Sequence, residues 1–236
     1  MKNVSVQVVN DVARAGAALF VERAVASYQE RGHFTVVLSG GSTPLDMYDI
    51  LSRDHAHEDF WAHTYLFWGD ERFVPHDHPD SNYGAAQERL LSKVAIPDAN
   101  VIPWPYVDGD PEGACAAYAR RVVDNAGNPP KFDLVFLGLG DDGHTASLFP
   151  GTGAVLEPGV AVVVEPEGEH TRLSLTAETL SRGRTVAFLV AGEAKRDALQ
   201  QTLAEAKRPD PDLDRYPAVA VSAREQLVCF TDMLGF

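Results

Sequence analysis

Basic residues are scarce in this chain: 20 Lys and Arg stand against 34 Asp and Glu over 236 residues, a formal net charge of -14. Nucleic acid and anionic membranes both require a basic face, so neither is expected as a partner. Long apolar runs are missing too. None approaches the roughly 20 residues of a membrane span, and the opening MKNVSVQVVNDVARAG has neither an apolar core nor a cleavage site, so a cytoplasmic protein is expected. There are only two cysteines, Cys115 in a helical pattern and Cys229 in a strand pattern. That excludes a disulfide framework, and both are expected to pack as small hydrophobes. No linker, internal repeat or charge block divides the sequence, which predicts one domain over residues 1–236. The sequence does not fix the oligomeric state; a monomer is the expectation.

What the chain does have is alternation. Strand-like runs fall at 4–9, 34–38, 64–68, 132–137, 160–164, 172–175, 185–190 and 227–231. Helical patterns fall at 11–30, 44–51, 82–91, 111–125 and 193–204. Such alternation predicts an α/β fold, a Rossmann-like, mostly parallel sheet with helices on both faces. In such sheets ligands bind beyond the carboxyl ends of the strands, so the loops there hold the candidate chemistry.

One of those loops follows the strand FDLVFL and reads GLGDDGHTASLFP, residues 138–150. Its first six letters match the G-x-G-x-x-G fingerprint of a dinucleotide turn, and Glu165 lies at about the spacing of the fingerprint's acidic residue. The fingerprint also needs a long helix whose N-terminus holds the pyrophosphate. Here Pro150, Gly151, Gly153 and Pro158 interrupt the chain, and Asp141 and Asp142 would face two phosphates. A nicotinamide cofactor is therefore not expected, and no other cofactor is indicated.

Three further loops belong to the same edge. SGGSTP follows the strand FTVVL: Gly40 and Gly41 let backbone N–H groups approach an anion, Ser39 and Ser42 add hydroxyls, and Thr43 is positioned to cap the helix, with Asp46 at the capping-box position. This predicts a phosphate cradle, although the lysine of a nucleotide P-loop is missing. GDERFVP follows TYLFW and places Asp70 and Arg72 on one side of an extended segment. A guanidinium there suits a phosphate or a developing oxyanion, and Asp70 suits positioning Arg72 or binding a sugar hydroxyl. Arg172 opens RLSLT, and Lys195 lies in GEAKRDAL near a helix start; both are candidate phosphate ligands. His76, Asp77 and His78 invite a metal reading, but their proline-rich surroundings favour a solvated loop and no third histidine is suitably placed in the sequence. No metal site is expected.

Taken together, SGGSTP, WGDERFVP with DSNYG downstream, GLGDDGHTASLFP and GEAK resemble the motifs of bacterial 6-phosphogluconolactonases. That family sits in a wider group that includes glucosamine-6-phosphate deaminases. The deaminase pattern has D-E-Y and D-G-H-I-A-F-N-E-P. Here Arg72 replaces the tyrosine, and Ser147, Leu148 and Phe149 replace the Phe-Asn-Glu run, which removes the carboxylate expected of a deaminase. The resemblance implies hydrolysis of 6-phospho-D-glucono-1,5-lactone without a cofactor. His144 would be the general base, because imidazole titrates near neutrality. Asp142, two residues earlier, is a candidate to orient it, though reach is not legible in sequence. By the same resemblance Arg172 and Lys195 join the SGGSTP loop around the 6-phosphate. A non-enzymatic sugar-phosphate sensor on the same fold is the other class, but sensors of that kind carry a basic DNA-binding module that this acidic chain does not offer.

Overall fold

The computed structural model describes residues 1–168 and 170–236. In chain order the elements are β1 (Ser5–Val8), α1 (Val12–Arg31), β2 (Phe34–Leu38), α2 (Ser42–Asp54), β3 (Thr64–Trp68), β4 (Asp70–Arg72), α3 (Asn82–Arg89), β5 (Val101–Ile102), α4 (Pro111–Ala126), β6 (Phe132–Leu137), β7 (Ala161–Val164), β8 (Arg172–Leu175), α5 (Ala177–Leu180), β9 (Gly183–Val190), α6 (Arg196–Glu205) and β10 (Gln226–Thr231). Among the described residues no helix is long and apolar enough to cross a membrane.

Seven strands form one sheet in the order β1-β10-β9-β6-β2-β3-β5, and every pairing in it is parallel. Every residue of the central strands β2 and β6 is buried. Both faces of the sheet's centre are therefore covered, which is why these strands read as unbroken apolar runs rather than as alternating ones. The buried apolar side chains form one contiguous cluster, from Phe20 and Phe34 near its start to Phe188 and Val228 near its end. Local signals set the helix limits. Asp11 accepts a hydrogen bond from the Arg14 N–H to open α1, and the Gly32 N–H returns to the Tyr28 carbonyl to close it.

Two sequence expectations change. The runs at 160–164 and 172–175 do not join the parallel sheet; as β7 and β8 they pair antiparallel with each other and with β4 in a second, three-stranded sheet. The connection between them is a hairpin, and it is too short for the dozen or more residues a parallel crossover needs. The very short strands β4 and β5 were invisible to periodicity for want of length. Gly69 joins the two sheets: its N–H donates to the Leu38 carbonyl of β2, and its carbonyl accepts from the Leu175 N–H of β8.

The end of β3 is held from α4. The Tyr118 hydroxyl accepts from the Trp68 N–H (2.8 Å) and donates to the Trp68 carbonyl (2.9 Å), which also accepts from Trp104 Nε1 (3.1 Å). The Tyr118 and Trp104 rings stack at 3.7 Å. Tyr118→Phe keeps the stack but leaves the buried Trp68 N–H without its acceptor. The expected cost is about 1–3 kcal/mol, measured as a lower urea midpoint with unchanged slope; an unshifted midpoint contradicts this role.

Candidate active site

The chain runs from β2 outward through β3 to β5, then returns to the other side of β2 to lay down β6, β9 and β10. The winding direction thus reverses between β2 and β6, and the loops leaving those neighbouring strands part to make a crevice. A cleft of ≈ 260 Å³ lies there, lined by Ser39 to Pro44 after β2, Asp70 and Arg72 after β3, Gly138, Gly140 and His144 after β6, and Lys195 after β9. Across the sheet the order of these contributions is Lys195, His144, the serine–glycine loop, then Asp70 and Arg72.

The turn after β6 is built around His144. Its Nδ1 lies 2.7 Å from Asp142 Oδ1, and its backbone N–H donates to the same oxygen at 3.0 Å. A carboxylate only accepts, so the ring proton sits on Nδ1 and the lone pair on Nε2. No hydrogen bond to Nε2 forms among the described residues. Partial burial pushes the Asp142 carboxyl up, but the His144 N–H, the imidazole's charge and the ring hydrogen bond together outweigh it and hold the carboxyl below its ordinary value. Phe149 packs against the imidazole, ring centroids 4.6 Å apart. The glycines of GLGDDG serve this arrangement. A Cβ on Gly140 would lie 2.0 Å from His144 Nδ1, so the histidine ring fits only over a residue without a side chain.

The serine–glycine loop differs in detail from its sequence reading. Helix α2 begins at Ser42 with Gly41 at the cap position and no side-chain cap, so Thr43 lies in the first turn and does not cap it, and Asp46 completes no capping box. The consequence favours anion binding: no side chain covers the first-turn N–H groups at the cleft. Gly40 is needed for packing, since a Cβ there would lie 2.0 Å from Asn82 Oδ1.

The Asp70 segment is held by residues the sequence reading passed over. Ser147 Oγ donates to Asp70 Oδ2 at 2.7 Å, and Asn82 Nδ2 donates to the Asp70 carbonyl at 3.0 Å. Asp70 and Arg72 do not form an ion pair; Arg72 Nη1 instead donates to the Asp80 carbonyl at 2.7 Å. Glu71, pointing the other way, is buried and accepts from the backbone N–H groups of Arg72, Asn82 and Tyr83 and from Ser81 Oγ. It pins β4 to the start of α3. The available signal was the alternation in DER, which turns Glu71 inward if its neighbours face the cleft, together with the cap residue Ser81.

The two remaining cations separate. Lys195 lines the cleft, its Nζ 2.6 Å from Asp141 Oδ1. Arg172 does not line it. It opens β8 opposite Arg72 in the antiparallel register and shares an adjoining cavity with Arg72, Asp80, Gly168 and His170. The hairpin, which sequence periodicity read as part of the parallel sheet, moves it there. Its guanidinium lies 5.9 Å from the Phe149 ring centroid, one ring away from His144.

The model of the family described as "Glucosamine-6-phosphate isomerases/6-phosphogluconolactonase" matches residues 8–229. The chain belongs to this family. It is 40% identical to the 6-phosphogluconolactonase of Synechocystis over 214 residues, covering 89% of this chain and 86% of that one. The crystal structure of 6-phosphogluconolactonase from Thermotoga maritima superposes with a TM-score of 0.84 at 30% identity, covering 97% of this chain and 99% of that one. A monomeric glucosamine-6-phosphate deaminase superposes at a TM-score of 0.79 but 18% identity over 98% of this chain and 97% of that one, which shows that the deaminase branch shares the fold.

Burial pushes the Glu71 carboxyl up to about 6, against its backbone donors and with a smaller push from Asp70; the ordinary value is 4.5. Ser81 Oγ is the one neighbour able to turn from donor to acceptor when Glu71 is protonated. Between these two pH values the unfolded chain has released a proton that the folded chain keeps, so this group's contribution to stability falls as pH rises from 4.5 to 6 and is level above. Glu71→Gln cannot ionise. In urea denaturation the stability difference, native chain minus variant, should fall by about 2 kcal/mol across that window; a difference that stays flat or rises contradicts the assignment.

Proposed function

We propose that this chain hydrolyses 6-phospho-D-glucono-1,5-lactone to 6-phospho-D-gluconate, the lactonase step of the oxidative pentose phosphate pathway. The observation that carries the reading is the His144–Asp142 pair, with Nε2 carrying its lone pair at a cleft that also holds Lys195 and the uncapped start of α2. A base and an anion site within one small cleft suit a neutral ester ring tethered to a phosphate.

In this mechanism His144 Nε2 takes a proton from water as the water oxygen bonds to the lactone carbonyl carbon. Asp142, kept ionised, fixes the ring and stabilises the imidazolium. The tetrahedral oxyanion collapses, the bond to the ring oxygen breaks, and the imidazolium returns its proton to that oxygen. The 6-phosphate sits against the first turn of α2 and takes the Lys195 ammonium over from Asp141. Arg72 supplies the second cation of the cleft. Its service to phosphate or to oxyanion separates by parameter, since a lost phosphate contact raises KM and a lost oxyanion contact lowers kcat. Arg172 acts one layer behind, on Phe149 and beside Arg72. We take the chain as one domain acting on a small anionic lactone. Two buried, unpaired cysteines suit a reducing cytoplasm.

His144→Asn keeps size and hydrogen-bonding capacity but cannot take the proton. Turnover, corrected for spontaneous opening of the lactone, should fall by roughly 10²- to 10⁴-fold. A folded variant with native turnover removes His144 from the mechanism. Ammonia release from glucosamine 6-phosphate by the native chain would instead assign it to the deaminase branch.

Lys195→Ala should raise KM by the equivalent of about 1–3 kcal/mol with little change in kcat. Unphosphorylated gluconolactone should be a poor substrate for the native enzyme. Equal rates on both lactones would rule out the phosphate site.

A further inference from the structure

Beside the cleft, the loop from β4 to α3 meets the hairpin between β7 and β8. The histidine-rich stretch of the first loop does not act as its sequence order implies. His76 Nε2 is engaged with the Trp104 carbonyl at 2.8 Å, and its ring packs on Tyr83. His78 instead faces Asp80 and, from the hairpin, His170, the third histidine that the sequence did not place. His78 Nδ1 lies 3.7 Å and His170 Nε2 3.2 Å from the same oxygen, Asp80 Oδ2. The ligand atoms of the three residues all lie within 4.8 Å of one another.

A hydrogen bond from a neutral His170 to Asp80 explains one side of this triangle. It does not explain the other. The Asp80 backbone N–H donates to His78 Nδ1 at 3.1 Å, so that nitrogen carries no proton and its one lone pair is engaged there. His78 Nδ1 and the carboxylate oxygen thus lie 3.7 Å apart with no hydrogen between them, and a cation bound between the two takes the lone pair over from the Asp80 N–H. Neighbouring ligand atoms around a tetrahedral zinc ion are about 3.3 Å apart, given metal–ligand bonds near 2 Å. The three side chains are partly or fully exposed, so they have room to close that far.

We propose that His78, Asp80 and His170 bind a first-row transition dication of the zinc class. Two imidazoles and a carboxylate suit such ions, whereas magnesium and calcium prefer all-oxygen shells. The chain's excess of acidic residues favours a cation over the surface, while Arg72 and Arg172, which share a cavity with Asp80 and His170, oppose it locally. The ion takes no part in lactone opening. It clamps two segments that sequence separates by 90 residues, next to the Asp80 carbonyl that holds Arg72.

The test is calorimetric titration of zinc chloride into chelator-treated, desalted protein, with melting temperature as a second reading. The native chain should bind one zinc ion and melt higher with it. His170→Gln and His78→Gln, both at sites open enough to tolerate the change, should each weaken binding about tenfold or more and lose the thermal shift. The control His57→Gln, at an exposed histidine outside the cluster, should bind like the native chain. Magnesium should not compete. No saturable zinc binding up to millimolar concentration, or equal binding by the native chain and both cluster variants, would overturn the proposal.

Discussion

Parallel pairing of β9, β6, β2 and β3 is the constraint from which the site follows. Parallel strands end on the same edge, so four loops that sequence scatters from Ser39 to Lys195 arrive side by side. Because the winding reverses between β2 and β6, their loops part instead of packing together. The crevice therefore opens at the edge of the sheet, beyond the core.

Within the cleft, electrostatics are set locally against an unfavourable background. The chain's net charge repels an anionic ligand at long range. What would favour the proposed anion is short-range: the first-turn N–H groups without a side-chain cap, a lysine and an arginine. Two acidic residues of the histidine turn divide the labour. Asp142 holds the imidazole, and Asp141 pairs with Lys195. Both aspartates argued in sequence against a phosphate in the turn itself. In space they engage a histidine and a lysine at the edge of the cleft.

The second sheet serves precision. Gly69 ties it to the first, Glu71 gathers four donors from the start of α3 and its own strand, and Ser147 reaches from the histidine turn to Asp70. The Gly69 and Ser147 contacts join segments far apart in the chain, the Glu71 contacts tie β4 to the start of α3, and each fixes a residue adjoining a candidate ligand contact. The wall bearing Asp70 and Arg72 is thereby positioned by buried hydrogen bonds, which are costly to break.

The sequence by itself determined the fold class, the strands long enough to show an apolar run, and the loops that bear chemistry. Those features are local: a buried parallel strand must be apolar along its whole length, and a strand-end glycine turn must be written in consecutive residues. Gly140 could be singled out that way, though its reason, room for the His144 ring, could not. The tertiary structure decided everything that depends on distance across the chain. Periodicity cannot tell a strand of the parallel sheet from a hairpin beside it, so the place of Arg172, opposite Arg72 and over the Phe149 ring, was not legible in the sequence. Nor can spacing show that His170 comes to meet His78 and Asp80, or that Ser147 reaches Asp70. These pairings are set by how two sheets and their loops pack, and no single segment encodes them.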